Sequence, residues 1–453
     1  MAVRPVYYVG SPAEVAHHAA PLTGRLPMAT IEADAVLDAA RPGDVCVFFN
    51  EHFERFRRLV GPLRERGCPT LLAIDGILEW RNLWEAPYNV WASCEWGWRP
   101  VLCDKVAAIG PSQARMLESW GNLGKVEVVG IPRLDPDVAA RRARMVPRSE
   151  SETLPPSRGG GGRTPDEVRD DSRATDDASR PQGRPAPHPQ PPSPPGRGEG
   201  GPLRLLVMTA KAVGFTDEQR ERTLRSLLAL KDHLERNPAV GGRPVAVTWR
   251  VTQNLEKPLG IDNRLGDTTG KALRAALADC DAVVTTPSTA MLEAMLADRP
   301  VALLDFHNRP DYVPAAWKIS VAEQIGPVLA ELADPPPARR LYQDTVLTDA
   351  LQTGESATDR MVRLIERMAA AAGGAPAGPV SLPPNLLADS REPTPPEPRF
   401  SLRTLYPGHP DFADPDRTAL AAELAHLRRD HGRLRRLARW SVLRLWPGQG
   451  PPP

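Results

Sequence analysis

Cysteine is scarce in this sequence, and the few residues present form no pattern. Cys46, Cys68, Cys94, Cys103 and Cys280 make five in 453 residues, an odd number with no CxxC pair. That argues against a disulfide framework or a zinc knuckle and implies a reducing compartment. Net charge is nearly absent too: at +1 there is no global field to draw nucleic acid. Long apolar runs are missing. None is long enough to span a bilayer, and MAVRPVYYVG moves straight into a strand where a secretory leader would carry an apolar core. The expected protein is cytoplasmic, either soluble or peripheral at the inner face of the membrane.

Proline is what the chain has in excess, with 51 residues, about twice the usual share. The prolines cluster. From Pro147 to Pro202 the chain is Pro, Gly, Ser, Arg and Asp with almost no aliphatic residue. Such a stretch cannot bury enough apolar surface to offset its ordering entropy, so 146–202 reads as a disordered linker. A second polar, Pro-rich linker runs over 373–415. Two folded blocks, 1–145 and 203–372, and a C-terminal helix at 416–447 are left.

Both blocks alternate short apolar strands with helices. In the first, the strands are Val6–Val9, Val45–Phe49, Thr70–Ile74, Lys105–Ile109 and Val126–Val129, with helices including Glu54–Arg66 and Gln113–Trp120. In the second they are Leu203–Met208, Val245–Trp249, Ala282–Thr285 and Val301–Asp305, separated by helices over Asp217–Asn237, Lys271–Asp279 and the segment around Glu293. This pattern predicts two doubly wound, Rossmann-like α/β domains facing each other across a cleft. Length supports it: 453 residues hold two ordinary domains without covalent staples.

The densest signal is DAVVTTPSTAMLEAMLADRPVALLDF, Asp281 to Phe306. Val283 and Val284 make a strand ending at Thr285 and Thr286, and Pro287 fits the first position of a helix, where its missing N–H costs nothing. Either Thr286 or Ser288 can cap that helix. Free N–H groups near Ser288, Thr289 and Ala290 would then offer a phosphate site. Glu293 follows about one turn later among Ala, Met and Leu. A lone carboxylate there either faces water or has hydrogen-bond partners that offset its burial.

Thr289, Ala290, Leu292, Glu293, Ala294, Met295, Leu296 and Ala297 closely resemble the nucleotide-sugar signature of GT-B glycosyltransferases, in the version found in lipid-A-disaccharide synthase. The rest of the chain is similar in architecture to bacterial surface-carbohydrate transferases. The resemblance implies that Ser288 and Thr289 bind the donor diphosphate and Glu293 the ribose, and that the first domain binds the acceptor. It also implies that the closing helix, Thr358–Ala372, packs back across the domain boundary. Retaining members carry a second Glu eight positions before the ribose-binding one, where this chain has Thr285, so an inverting reaction is expected. The 2-epimerases of the same fold have a glycine pair and a doubled Glu that TPSTAMLEA lacks. The CDP-glycerol phosphotransferases have His-Gly at the acceptor turn, where this chain has Asp75 and Gly76.

Residues just after strands are the other candidates, because ligands of open parallel sheets bind beyond the strands' carboxyl ends. Lys211 can stabilise charge on a leaving diphosphate or sit exposed. His307 and Asn308 offer a ring and an amide to the base or sugar, or cap the loop before Pro310. Arg250 and Arg309 fall at equivalent places. In the first block, AIDGILEWRNLWE puts Asp75 directly after a strand, with Gly76 allowing a tight turn. An inverting transfer needs a base for the acceptor hydroxyl, and Asp75 is the first choice, Glu79 the second and His52 the third. Asp75 equally suits an Asx-turn or a helix cap.

Trp80, Trp84, Trp91, Trp96 and Trp98 follow this turn, half of the chain's ten tryptophans. They suit a sugar platform, a partner surface or, more commonly, a core. VGIPRLD, with Pro132, Arg133 and Asp135, ends the first block and reads as mainly structural. From Thr418 to Trp446, leucines at one-face spacing alternate with seven arginines between Arg428 and Arg444. That basic amphipathic helix suits an anionic membrane surface or a short coiled coil. The expected activity is metal-independent transfer of a sugar from a nucleotide-sugar donor to a hydroxyl of a glycan or lipid-linked acceptor. It requires no permanently bound cofactor, no metal and no nucleic acid. The competing expectations are a catalytically silent scaffold of surface-polysaccharide assembly and a nucleotide-sugar 2-epimerase.

Overall fold

The computed structural model describes residues 4–51, 53–79, 83, 98–145, 201–263, 270–373, 378–387 and 427. His52, Trp80, Trp84, Trp91, Trp96 and Cys94 lie outside these residues, as do the first expected linker up to residue 200, residues 374–377 and 388–415 of the second, and the expected C-terminal helix at 416–447 apart from Leu427. In chain order, Val6–Val9 (β1), Met28–Ile31 (β2), Val45–Phe48 (β3), Thr70–Ala73 (β4), Lys105–Ala108 (β5) and Val126–Val128 (β6) form one sheet. Its order is β2-β1-β3-β4-β5-β6, and every pairing is parallel. Strands β3, β4 and β5 are buried at every position. Both faces are therefore covered, the usual state of a parallel sheet wrapped by helices. The wrapping helices are Pro12–Ala19 (α1), Val36–Ala39 (α2), Glu54–Glu65 (α3), Pro111–Ser119 (α4) and Asp135–Met145 (α5).

The second sheet uses Leu203–Met208 (β7), Ala239–Val240 (β8), Arg243–Arg250 (β9), Ala282–Thr285 (β10), Val301–Leu304 (β11) and Trp317–Ile319 (β12). Its order is β12-β11-β10-β7-β9-β8, parallel except for the terminal β8–β9 pair. Around it lie Asp217–Arg236 (α6), Glu256–Leu259 (α7), Gly270–Asp279 (α8), Ala290–Leu296 (α9), Ile325–Ala333 (α10) and Pro337–Ala350 (α11). The chain steps from β7 to β9 on one side and returns to β10 on the other, so the strand order reverses between β7 and β10. A crevice opens at such a reversal. These are the two doubly wound α/β sheets that the sequence predicts.

The last helix, Ala357–Ala372 (α12), follows the second sheet but packs on the first. Met361, Leu364, Ile365 and Met368 form one apolar stripe, buried with Val6, Tyr8, Val45 and Val47. Asp135, at the start of α5, accepts the Ser356 hydroxyl at 2.8 Å and the backbone N–H groups of Ala357 and Thr358 at 2.8 and 2.9 Å. Arg360, 1% exposed, donates twice to the Val128 carbonyl, at 2.9 and 2.6 Å. The returning chain also reaches Glu127, whose carboxylate accepts the Leu386 and Leu387 N–H groups at 2.7 and 3.1 Å and pairs with buried Lys105 at 2.8 Å. One apolar core joins the sheets through α11, with Val346, Leu347 and Leu351 clustered with Ala114 and Leu117 of α4. No helix among the described residues is long and apolar enough to cross a membrane.

Candidate functional site

The turn after β4 meets the turn after β10. The backbone N–H of Ile77 donates to Thr289 Oγ1 at 3.1 Å, and Gln113 of α4 steadies the turn by donating to the Gly76 carbonyl at 3.1 Å. A Cβ on Gly76 would lie only 2.6 Å from Thr289 Oγ1, so glycine is what allows this approach. Asp75 and Ser288 are thereby brought to one junction.

The expected start of the helix needs correction. It begins at Ala290, with Thr289 in the cap position but no side-chain cap, and Pro287 lies in a bend before it. Thr286 cannot cap because its hydroxyl accepts the Ala210 N–H at 2.7 Å, tying the end of β10 to the segment after β7. Thr289 cannot, because its hydroxyl serves the other sheet. Ser288 Oγ is buried and has no hydrogen-bond partner among the described residues. A hydroxyl stranded in that way is costly unless something occupies the space it faces.

Asp75 sits among cations and rings from three elements. Its Oδ2 is 2.9 Å from Nδ1 of His18 and 3.7 Å from Nε2 of His17, both in the last turn of α1, and 3.6 Å from Nε of Arg133. His18 is held against Phe49 and Tyr8, with centroids 5.5 and 6.4 Å away. Burial alone would push the Asp75 carboxyl up. The His17 and His18 rings and the Arg133 guanidinium outweigh it and hold the carboxyl far below the usual carboxylate range. Asp75 is thus an ionised carboxylate with two imidazoles beside it, groups of the kind that accept or relay a proton. Behind it, burial and then the Asp75 charge push the Tyr8 phenol well up, so it stays neutral.

Arg133 does more than the sequence suggests. Its Nη1 donates to Glu293 Oε1 at 2.9 Å, so one guanidinium spans Asp75 of the first sheet and Glu293 beside the second. Glu293 is only 8% exposed, and Arg133 is the partner that compensates its burial. The expectation of a solvated or hydrogen-bonded carboxylate thus resolves to the second case, with a side chain from the opposite sheet as partner. His17, His18 and Gln113 were not singled out from sequence. The adjacent histidines at the end of the first helix were the available signal, but only the fold brings them to Asp75.

The remaining candidates lie at varying distance from this junction. Glu79 lines a cavity of about 20 Å³ with Ile77, Pro287, Arg309 and Tyr312. That space holds little more than a water molecule, so a nucleotide enters only if the two turns separate. Lys211 is exposed just beyond β7, at the reversal of strand order. His307 is buried, with Nε2 3.2 Å from Thr223 Oγ1 of α6 and its backbone N–H donating to Asp305 Oδ1 at 3.2 Å. Its ring is held against α6. Asn308 is exposed with φ 51°, a left-handed position that asparagine tolerates. Arg250 is buried as the last residue of β9. Of the tryptophan group, Trp98 is 8% exposed and belongs to the apolar core.

No family model matches the sequence, and no curated protein sequence matches it. Among solved structures it is similar to S. aureus MnaA with UDP, at 13% identity and a TM-score of 0.46, over 80% of this chain and 96% of that one. It is also similar to UDP-GlcNAc 2-epimerase from Methanocaldococcus jannaschii in complex with UDP-GlcNAc and UDP, at 10% identity and a TM-score of 0.44, over 80% and 99%. An α,α-trehalose-phosphate synthase (UDP-forming) from Burkholderia vietnamiensis gives 11% identity and a TM-score of 0.44, over 80% and 99%.

Proposed function

We propose that the chain transfers a sugar from a nucleotide-sugar donor to an acceptor hydroxyl, with inversion, at the junction of the β4 and β10 turns. The observation that carries this reading is the stranded Ser288 hydroxyl beside Thr289 and buried Glu293, across from an ionised Asp75 flanked by imidazoles. In this reading the Ser288 hydroxyl and the backbone beside Thr289 receive the diphosphate, and Glu293 receives the ribose. Lys211, at the end of β7, offsets charge on the departing diphosphate. Asp75 orients the rings next to it, and His17, largely exposed, takes the proton, because an imidazole is the better acceptor near neutral pH. Glu79 lines the acceptor side, while Asn308 contacts the donor from the exposed loop. The acceptor is a glycan or a lipid-linked hydroxyl, and the basic C-terminal helix holds the protein at an anionic surface.

A second reading is a nucleotide-free binding protein, favoured by the closed junction of about 20 Å³ and by the Arg133–Glu293 pair that fills the ribose position. A thermal-shift panel of UDP, GDP, CDP and ADP sugars separates the two. A transferase gains about 2.7 kcal/mol at a donor concentration a hundred times Kd. Glu293→Ala should lose that gain. His17→Ala and Asp75→Asn should keep it and lose donor turnover. If no member of the panel stabilises the protein, the transferase reading fails.

A further inference from the structure

The end of α1 and the turn after β4 form a cluster whose chemistry goes beyond proton transfer. One nitrogen of His17, one of His18 and an oxygen of Asp75 all lie within 4.8 Å of one another. Ligand atoms bound at about 2.1 Å to a tetrahedral divalent ion are about 3.4 Å apart. The separations from Asp75 Oδ2, 2.9 Å to His18 and 3.7 Å to His17, bracket that value. We propose that His17, His18 and Asp75 bind a first-row divalent transition-metal ion, with zinc the best-matched member. The site leaves at least one position open toward the junction.

Four observations support the assignment. First, His18 Nδ1 is buried 2.9 Å from Asp75 Oδ2 and no other group among the described residues satisfies it, so an ion in the notch would be held by both. Second, His18 is already oriented by Phe49 and Tyr8, so little ordering remains to be done there. His17 is 61% exposed and free to close the remaining gap by a rotamer change. Third, two imidazoles and one carboxylate suit zinc and its neighbours, whereas magnesium and calcium prefer oxygen alone. Fourth, the charges favour a dication. Arg133 opposes it from 3.6 Å, but its guanidinium is shared with Glu293, so two carboxylates face one cation.

A ring nitrogen of His17 that holds an ion cannot also take the acceptor proton, so occupancy of this site replaces that role, and binding by itself tests the site. The full chain, stripped with a chelator, is titrated with Zn2+ by calorimetry and with Co2+ by visible absorption. One ion per chain is expected. His17→Ala should weaken binding about tenfold or more, since loss of even an outer-shell partner costs 10–100-fold. His17 is exposed, so this variant tests the site without disturbing the core, and His18→Ala and Asp75→Asn should weaken binding further. Binding unchanged in His17→Ala overturns the proposal, as does the absence of binding. The free buried thiols Cys46, Cys68, Cys103 and Cys280 are the competing ligands. A thiolate charge-transfer band from Co2+ would assign the ion to them and overturn it as well.

Discussion

Beside the apolar contact of α4 with α11 and the arginines that α5 extends to the end of α9, two further seams join the sheets, and they differ in construction. At one, α12 returns to the first sheet. Asp135 accepts three hydrogen bonds from the start of α12, buried Arg360 holds the Val128 carbonyl, and the Gln352 N–H donates to the Ile109 carbonyl at 2.8 Å. Main-chain groups supply most of these partners. At the other seam, the β4 and β10 turns meet through Thr289 Oγ1 and the Arg133–Glu293 pair, next to a small cavity. There, side chains carry the contacts, and side chains can exchange a partner for a ligand. The first seam is anchored through the main chain, the second through side chains.

The comparison fails or sharpens through measurement. The largest effect is expected from Arg360→Met, which leaves the Val128 carbonyl unpaired in the core and Glu355 without one of its cations. Denaturant unfolding should show a loss of about 3–5 kcal/mol. A loss below about 1 kcal/mol would mean that this seam is no stronger than a surface contact. Next, Asp135→Ala removes three hydrogen bonds to the start of α12 while leaving the Ser356 cap, and should cost about 2 kcal/mol, with faster amide exchange in the first turn of α12. At the site seam, Thr289→Val forfeits one part-buried bond and should cost only about 1 kcal/mol by the same unfolding assay. If it matches Arg360→Met, the seams are equivalent.

The smallest effect sets the baseline away from both seams. Asp281 is paired with Arg204 at 2.6 Å near the surface. Burial raises its carboxyl, but Arg204 and Arg243 outweigh that and lower it. A depressed folded value means that the pair stabilises above the ordinary carboxylate pKa and loses its contribution as pH falls through the folded value. Asp281→Asn should therefore cost less than about 1 kcal/mol at neutral pH, and the difference from the parent should shrink below about pH 4. Should the difference persist in acid, charge is not its source.

The interior strands were legible because unbroken apolar runs such as Val45–Phe48 and Val301–Leu304 are what two covered faces require. The edges were not. Met28–Ile31 has no fully buried position, and Trp317–Ile319 is too short to show a period. Much of the site escaped for a different reason. Asp75 and Glu293 could be picked out singly, but Arg133 and His18 take their meaning from partners 160 and 57 positions away in sequence. Periodicity and turn chemistry report on neighbours, and these contacts are made only when two sheets dock.

Gly76 has one more consequence. Because a methyl group there would press on Thr289 Oγ1, this position acts as a spacer of zero thickness between the two turns. Gly76→Ala would insert a wedge one carbon wide: the threonine must rotate away, and the Ile77 N–H then loses its acceptor. The width of the entrance is thus encoded by a side chain that is missing, and adding an atom there should prop the junction ajar.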